Sequence, residues 1–295
     1  MEKLPIIFST FLSDEDDFRG IQLLIKSLRQ FGGTHRNSPF WIFLAPTIKK
    51  STVLENLGNT QQFSIEDQSF NPPYYFSTKV TAWVQAEELA RQQTRSLAWI
   101  DPCCLVLREP SLFILDEKTN AAFRPVHIRN VGQPVEQEID GFWKSVYQQC
   151  NTPQMTWVFE SFVDEQNILP YFNTHCFCID PNLGILEKTK SNLHSLVEDT
   201  GFIGEYCSDS PHKIFLFQVV LSATLFEMTS MEHIRILPPD YGYPFHLHKK
   251  ISPVKRIHQM SEMTIMIYEE EQNLSLAFQQ LSISPEIQGW YFSLQ

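Results

Sequence analysis

Along the first hundred residues, solid apolar runs alternate with apolar positions at helical spacing. Leu4 to Leu12 predicts a first strand, and Ser13-Asp14-Glu15-Asp16-Asp17 a polar turn after it. From Gly20 to Phe31, Ile21, Leu24, Ile25 and Leu28 share one helical face, and Gly32-Gly33 stops the helix. Phe40 to Leu44 reads as a second strand and Gln62 to Ile65 as a short third. After a break at Pro72-Pro73, Tyr74 to Arg91 reads as a helix carrying Val80, Trp83, Val84 and Leu89. Leu97 to Ile100 and Leu105 to Leu107 are again solid runs, parted by Asp101-Pro102.

This β-α-β-(β)-α-β order predicts an α/β/α sandwich with a mainly parallel central sheet. Its ligand crevice should lie at the carboxyl ends of the strands, where Ser9, Thr10, Phe11 and Leu12 would meet Asp101. A carboxylate at that edge can hold a ligand. The plainer alternative is a turn, since Asp before Pro favours one. No Gly-rich phosphate loop occurs, which removes support for dinucleotide oxidoreductases and P-loop enzymes.

The second half is less regular. Ala121 to Ile128 looks extended, and Ile139 to Cys150 and Leu183 to Val197 look helical. Cys176-Phe177-Cys178 alternates as a strand would, placing both thiols on one face. Lys213 to Ser222 fits a helix and Ile234 to Pro239 an extended stretch. His246 and His248 are spaced to face one way on a strand, and His258 makes three histidines within thirteen positions; neutral imidazole is a frequent metal ligand. Met263 to Tyr268 suggests an edge strand, Glu269-Glu270-Glu271 a solvated charge run, and Leu274 to Leu281 a short helix.

Composition narrows the classes. Apolar residues make up 43% of the 295, enough for a sizeable core. The formal charge of -11 argues against a nucleic-acid binder. Lys249, Lys250, Lys255 and Arg256 nevertheless form a local basic stretch that suits a diphosphate. Six cysteines occur without a C-x-x-C pair. Met1 to Pro5 has no signal-peptide pattern, and no apolar run approaches the ~18 residues of a membrane span. A cytoplasmic chain with reduced, buried thiols is the expectation. With no linker or repeat, the expectation is one domain over 1–295, in stretches at 1–110 and 111–260 and a tail at 261–295.

The stretch Trp99-Ile100-Asp101-Pro102-Cys103-Cys104-Leu105-Val106-Leu107, closed by Pro110, resembles the D-x-D strand of nucleotide-sugar glycosyltransferases of the GT-A fold, glycogenin-like members among them. Tyr171 to Pro181 resembles that family's F-N-x-G-x-x-x-x-D strand through Asn173 and Asp180, with Thr174-His175 in place of a small pair. Lys213 to Ser222 resembles its D-Q-x-x-L-N helix through Gln218 and Leu221. The resemblance implies glycosyl transfer from a nucleoside-diphosphate sugar, a uridine nucleotide favoured, to an acceptor it does not identify. It implies nucleotide contacts from Ser9, Thr10, Phe11, Lys79, Asp101, Lys255 and Arg256. Gln218 and His175 become candidate catalytic residues, and Asp101 and His258 candidate metal ligands, because Val254 to Gln259 resembles the strand on which glycogenin-like members carry a metal-binding His. The metal would be manganese or magnesium. The resemblance also makes 1–110 the nucleotide-binding half and 111–260 the donor-sugar and acceptor half. Two departures bear on this: Cys103 stands at the second Asp of the D-x-D, and Phe217 at the Asp before Gln218. Hard cations prefer oxygen donors, so binding of either ion should be weak. Three readings stay open: a transferase, a metal-independent transferase using the basic stretch, and a non-catalytic nucleotide-sugar-binding protein on the same fold.

Overall fold

A computed structural model describes residues 3–66, 70 and 73–294. Met1, Glu2, Gln295 and Pro72 of the expected break lie outside the described residues. The first half builds β1 (Ile7–Leu12), α1 (Asp17–Phe31), β2 (Phe40–Leu44), α2 (Thr52–Glu55), β3 (Thr60–Ser64), α3 (Ser77–Ala90) and β4 (Leu97–Ile100). β5 (Cys104–Val106), β6 (Ala121–Phe123), α4 (Gly141–Gln149), the small β7 (Phe159–Glu160) and β8 (Asn167–Ile168), and β9 (Cys176–Ile179) follow. The chain continues through α5 (Ile185–Glu198), α6 (Thr200–Tyr206), α7 (Ser210–Met228), β10 (Ile234–Ile236), β11 (Tyr241–Pro244), β12 (Ile265–Ile267), α8 (Glu271–Gln280) and α9 (Pro285–Phe292).

The main sheet has the order β10-β6-β9-β4-β1-β2-β3. Its pairings are parallel except those of β9, which runs against both β4 and β6. Every residue of β1, β2, β4 and β9 is buried, so these strands read as solid apolar runs. Alternate side chains serve opposite faces. Ile7, Phe11, Phe43 and Trp99 join Val80 and Trp83 of α3, Leu193 of α5 and Val220 of α7. Phe8, Leu12, Ile42 and Ile100 join Ile21, Leu24 and Leu28 of α1. Helices on both faces of a mainly parallel sheet make the α/β/α sandwich that the apolar pattern predicts.

Boundaries shift for local reasons. Leu4 makes only an isolated bridge to Thr94, because Pro5 follows it without a backbone donor. α1 starts three residues earlier than its apolar stripe, with Asp17 in its first turn. Cys176 and Cys178 do share one face, and all six cysteines are free.

Three expectations from the late chain are corrected. β12 is no edge strand: it is the middle of a second sheet, parallel to β11 and antiparallel to β5. His246 and His248 sit in a 3-10 turn over Phe245–Lys250, not on a strand. Val254 to Gln259 is not a strand either, since Pro253 opens a 3-10 turn over Pro253–Lys255. The helix Pro285–Phe292, which the apolar pattern did not suggest, packs Ile287, Trp290 and Tyr291 against the second sheet's core. Among the described residues, no helix is long and apolar enough to cross a membrane.

One buried carboxylate ties two helices of the same layer, α3 and α5, together. α5 begins at Gly184, which has φ +73 and offers no side chain to its first amides. Glu87 of α3 supplies the acceptors: Leu186 N–H donates to Oε1 and Glu187 N–H to Oε2, both at 2.9 Å. Burial pushes its carboxyl up to about 7, against the pull of those two amides. Glu87→Ala would strand two helix-terminal donors, and the expected loss of stability is about 2–4 kcal/mol by chemical denaturation.

Candidate active site

A cavity of about 620 Å³ opens at the carboxyl ends of β1, β2 and β4. Asp101 enters it directly after β4. Its backbone N–H donates to the His175 carbonyl at 2.7 Å, continuing the β4–β9 pairing one step beyond Ile100 and Cys176. Its carboxylate is almost enclosed: Trp99 Nε1 donates to Oδ1 at 2.9 Å and Lys79 Nζ to Oδ2 at 2.7 Å. Lys79 projects from the first turn of α3, and its ammonium lies 5.7 Å from the Phe217 ring and 5.9 Å from the Trp83 ring. Phe217 thus turns an aromatic face toward Lys79 where the resembled motif has an acid.

His175 forms the opposite wall. Asn173 Oδ1 accepts from its N–H at 2.8 Å and lies 3.1 Å from Nδ1, which fixes the ring. Nε2 points to Glu269 Oε1 at 2.7 Å. Burial opposes a charge on His175, but Glu269 outweighs it and raises the imidazole to about 9. Burial likewise opposes a charge on Glu269, and His175 overrides it, holding the carboxyl down at about 2. Glu269 has φ +63, a left-handed conformation that β-strand residues avoid, immediately after β12 and Tyr268. Tyr268 anchors this corner, donating its N–H to Cys103 O at 3.0 Å and its hydroxyl to Pro102 O at 3.2 Å. Gly20 lets α1 approach the same turn; a Cβ there would stand 2.7 Å from Pro102 O.

The structure brings together Phe11, Lys79, Asp101, His175 and Gln218, all on the cavity wall. Gln218 Oε1 accepts from the Thr174 hydroxyl at 3.1 Å. It does not bring in the rest. Ser9 and Thr10 are fully buried beside the cavity, Ser9 donating to Ala98 O at 3.0 Å. Lys255 is paired with Glu160 and Glu165, and Arg256 donates to the carbonyls of Ile251 and Lys249. His258 is exposed, with its ring 6.0 Å from that of His248. None of these three lines the cavity. Their placement rested on a strand that Pro253 prevents, so Asp101 and His258 do not form one ligand set.

Glu269 is the residue that sequence reasoning missed. It looked like one of three solvated glutamates, yet it follows an apolar run just as Asp101 does. Asp14 and Asp17 also line the cavity, so four carboxylates face Lys79 and His175. Burial raises the Asp17 carboxyl, and the Asp14 and Asp101 charges add to it. Manganese or magnesium would find a poor cradle. Both Asp101 oxygens already accept hydrogen bonds, and the next candidate donor is a thiol. Cys103, His175 and Glu269 do form a cluster that could hold a metal ion, with one ligand atom from each within 4.8 Å of the others.

No family profile and no curated protein sequence matches the chain. Solved structures do. A bifunctional glycosyltransferase, WbbM, superposes with a TM-score of 0.53 at 12% identity over 91% of this chain. The glycosyltransferase GlyE of Streptococcus pneumoniae TIGR4 gives 0.50 at 14% identity over 98%. The chain shares its α/β fold with these two proteins. It spans 46% and 60% of those two proteins, so the likeness concerns one part of each.

The His175–Glu269 pair sets a pH window. His175 rises from 6.5 unfolded to about 9 folded, so its contribution is whole below pH 6.5 and fades as pH rises through about 9. Glu269 falls from 4.5 to about 2, so its contribution is whole above pH 4.5 and fades as pH drops through about 2. In metal-free protein, the Tm difference between wild type and Glu269→Gln should be greatest between pH 4.5 and 6.5 and vanish above about 9. A difference that grows with alkaline pH would refute the pairing.

Proposed function

We propose that this cavity binds a nucleoside-diphosphate sugar and that the chain transfers the sugar to an acceptor. The observation carrying this reading is the Lys79–Asp101 pair beside Phe11, at the carboxyl edge of parallel strands and inside a ligand-sized cavity. In this reading a uridine base packs near Phe11, and the ribose hydroxyls meet Asp101. Tyr75, which is 83% exposed at the cavity rim, is free to stack on a planar ring. The Lys79 ammonium faces the diphosphate, and in metal-free protein the positive charge of His175 stands on the same wall. As the sugar–phosphate bond breaks, they stabilise the charge growing on the leaving group. Gln218, held by Thr174, offers its amide N–H to the sugar.

Phe217 supports a second reading. Where the resembled motif has an acid near the donor sugar, this chain has an aromatic ring packed 4.5 Å from Phe76. Such a site would hold the nucleotide-sugar without turning it over. Product formation from radiolabelled donor, in the presence of candidate acceptors, separates the two readings.

Binding itself is tested by calorimetry with uridine diphosphate. Charge-assisted contacts contribute roughly 1.5–3 kcal/mol, so Lys79→Gln should weaken binding at least about tenfold. Arg256→Ala, at a residue that does not line the cavity, should bind as wild type does. Circular dichroism establishes that both variants are folded. Wild type that binds no nucleotide, or a Lys79→Gln variant with unchanged affinity, would contradict the proposal.

A further inference from the structure

Cys103, at the second Asp of the D-x-D, and His175, at the small pair of the F-N-x-G strand, meet in space, and Glu269 completes the group. We propose that Cys103, His175 and Glu269 bind a zinc-type cation whose remaining position opens into the cavity. The inference that a diphosphate oxygen fills that position rests on the nucleotide-sugar reading; the metal site does not.

The donor chemistry argues for the class of ion. A thiolate, an imidazole and a carboxylate form a borderline-soft set, suited to zinc and poorly suited to magnesium or manganese. Tetrahedral bonds of about 2.0–2.3 Å space their donors by about 3.5 Å. The three ligand atoms already lie within 4.8 Å of one another, so closure requires movement of only about an ångström. Cys103 is half-buried whereas the other five thiols are buried, leaving it as the accessible one. His175 presents Nε2 toward the group while Asn173 holds the Nδ1 side, the arrangement that orients metal-bound histidines. Glu269 is aimed by its left-handed backbone, and His246 Nε2 stands 4.0 Å from the same oxygen.

Three protein ligands beside a cavity leave a fourth position for water or ligand, as catalytic zinc sites do. Four carboxylates on this wall would otherwise repel a diphosphate. Binding displaces the Cys103 thiol proton and the His175 proton that the ion pair holds. A dication takes the place of two protons, so the net charge of the group is unchanged; what the ion adds is a concentrated positive centre with an open position at which an anion binds directly.

The test uses the full chain after chelation and dialysis. Cobalt should bind one equivalent and give a near-ultraviolet thiolate charge-transfer band. Zinc should bleach the band, and excess magnesium or manganese should not. Cys103→Ser should lose the band and weaken zinc binding at least tenfold, and Cys103→Asp should favour manganese. If a variant fails to fold, wild type still decides, because zinc should protect Cys103 from iodoacetamide as read by mass spectrometry. No band, a band retained in Cys103→Ser, or unprotected Cys103 overturns the site. Uridine diphosphate should then bind at least tenfold tighter with zinc than after chelation. Equal affinity in both states overturns the open position. Binding in neither state overturns the nucleotide reading and leaves the metal site standing.

Discussion

The bond from the Asp101 N–H to the His175 carbonyl holds the two walls of the cavity in one register. It exists because β9 runs antiparallel to β4, Ile100 facing Cys176. A one-residue slip would turn every side chain of β9 to the other face, pulling Phe177 and Ile179 from one core and Cys176 and Cys178 from the other. Apolar burial on both sheet faces therefore enforces the register, and the register places Asp101 beside His175. The chemistry of the site inherits its precision from the core.

Charge is the second constraint. The chain carries -11 overall, and its cavity wall bears Asp14, Asp17, Asp101 and Glu269. The Lys79–Asp101 and His175–Glu269 pairs neutralise two of these acids locally. The basic stretch at Lys255 and Arg256, attractive for a diphosphate when read as sequence, is spent on Glu160, Glu165 and backbone carbonyls elsewhere. An anionic ligand must accordingly be met by Lys79, by His175, or by a cation brought into the site. This places the whole electrostatic burden on one small region.

The sheet was legible because parallel strands buried on both faces must be solidly apolar, and Phe40–Leu44 and Leu97–Ile100 are. Asp101 and Phe11 were legible because they follow from strand order and from which strand end faces the crevice, whereas Lys79 rested on the family resemblance, since a lone lysine on a helix reads equally as a solvated charge. Glu269 was not. Its place depends on β12 pairing between β11 and β5, a long-range choice that a run of three glutamates conceals. His258 failed for the converse reason: its stretch resembled a strand of the family, and Pro253 opens a 3-10 turn there instead. Cys103 was visible only as a departure, since its partners come from distant parts of the chain.

The central claim is that a nucleotide diphosphate rests at the carboxyl edge of β1 and β4. Amide chemical shifts of the isotope-labelled chain, followed by NMR as uridine diphosphate is added, test it most directly. The account predicts saturable changes at Phe11, Lys79, Asp101 and His175, and none at Arg256 or His258. Changes confined to the Lys255–His258 segment, or no saturable change anywhere, would contradict it.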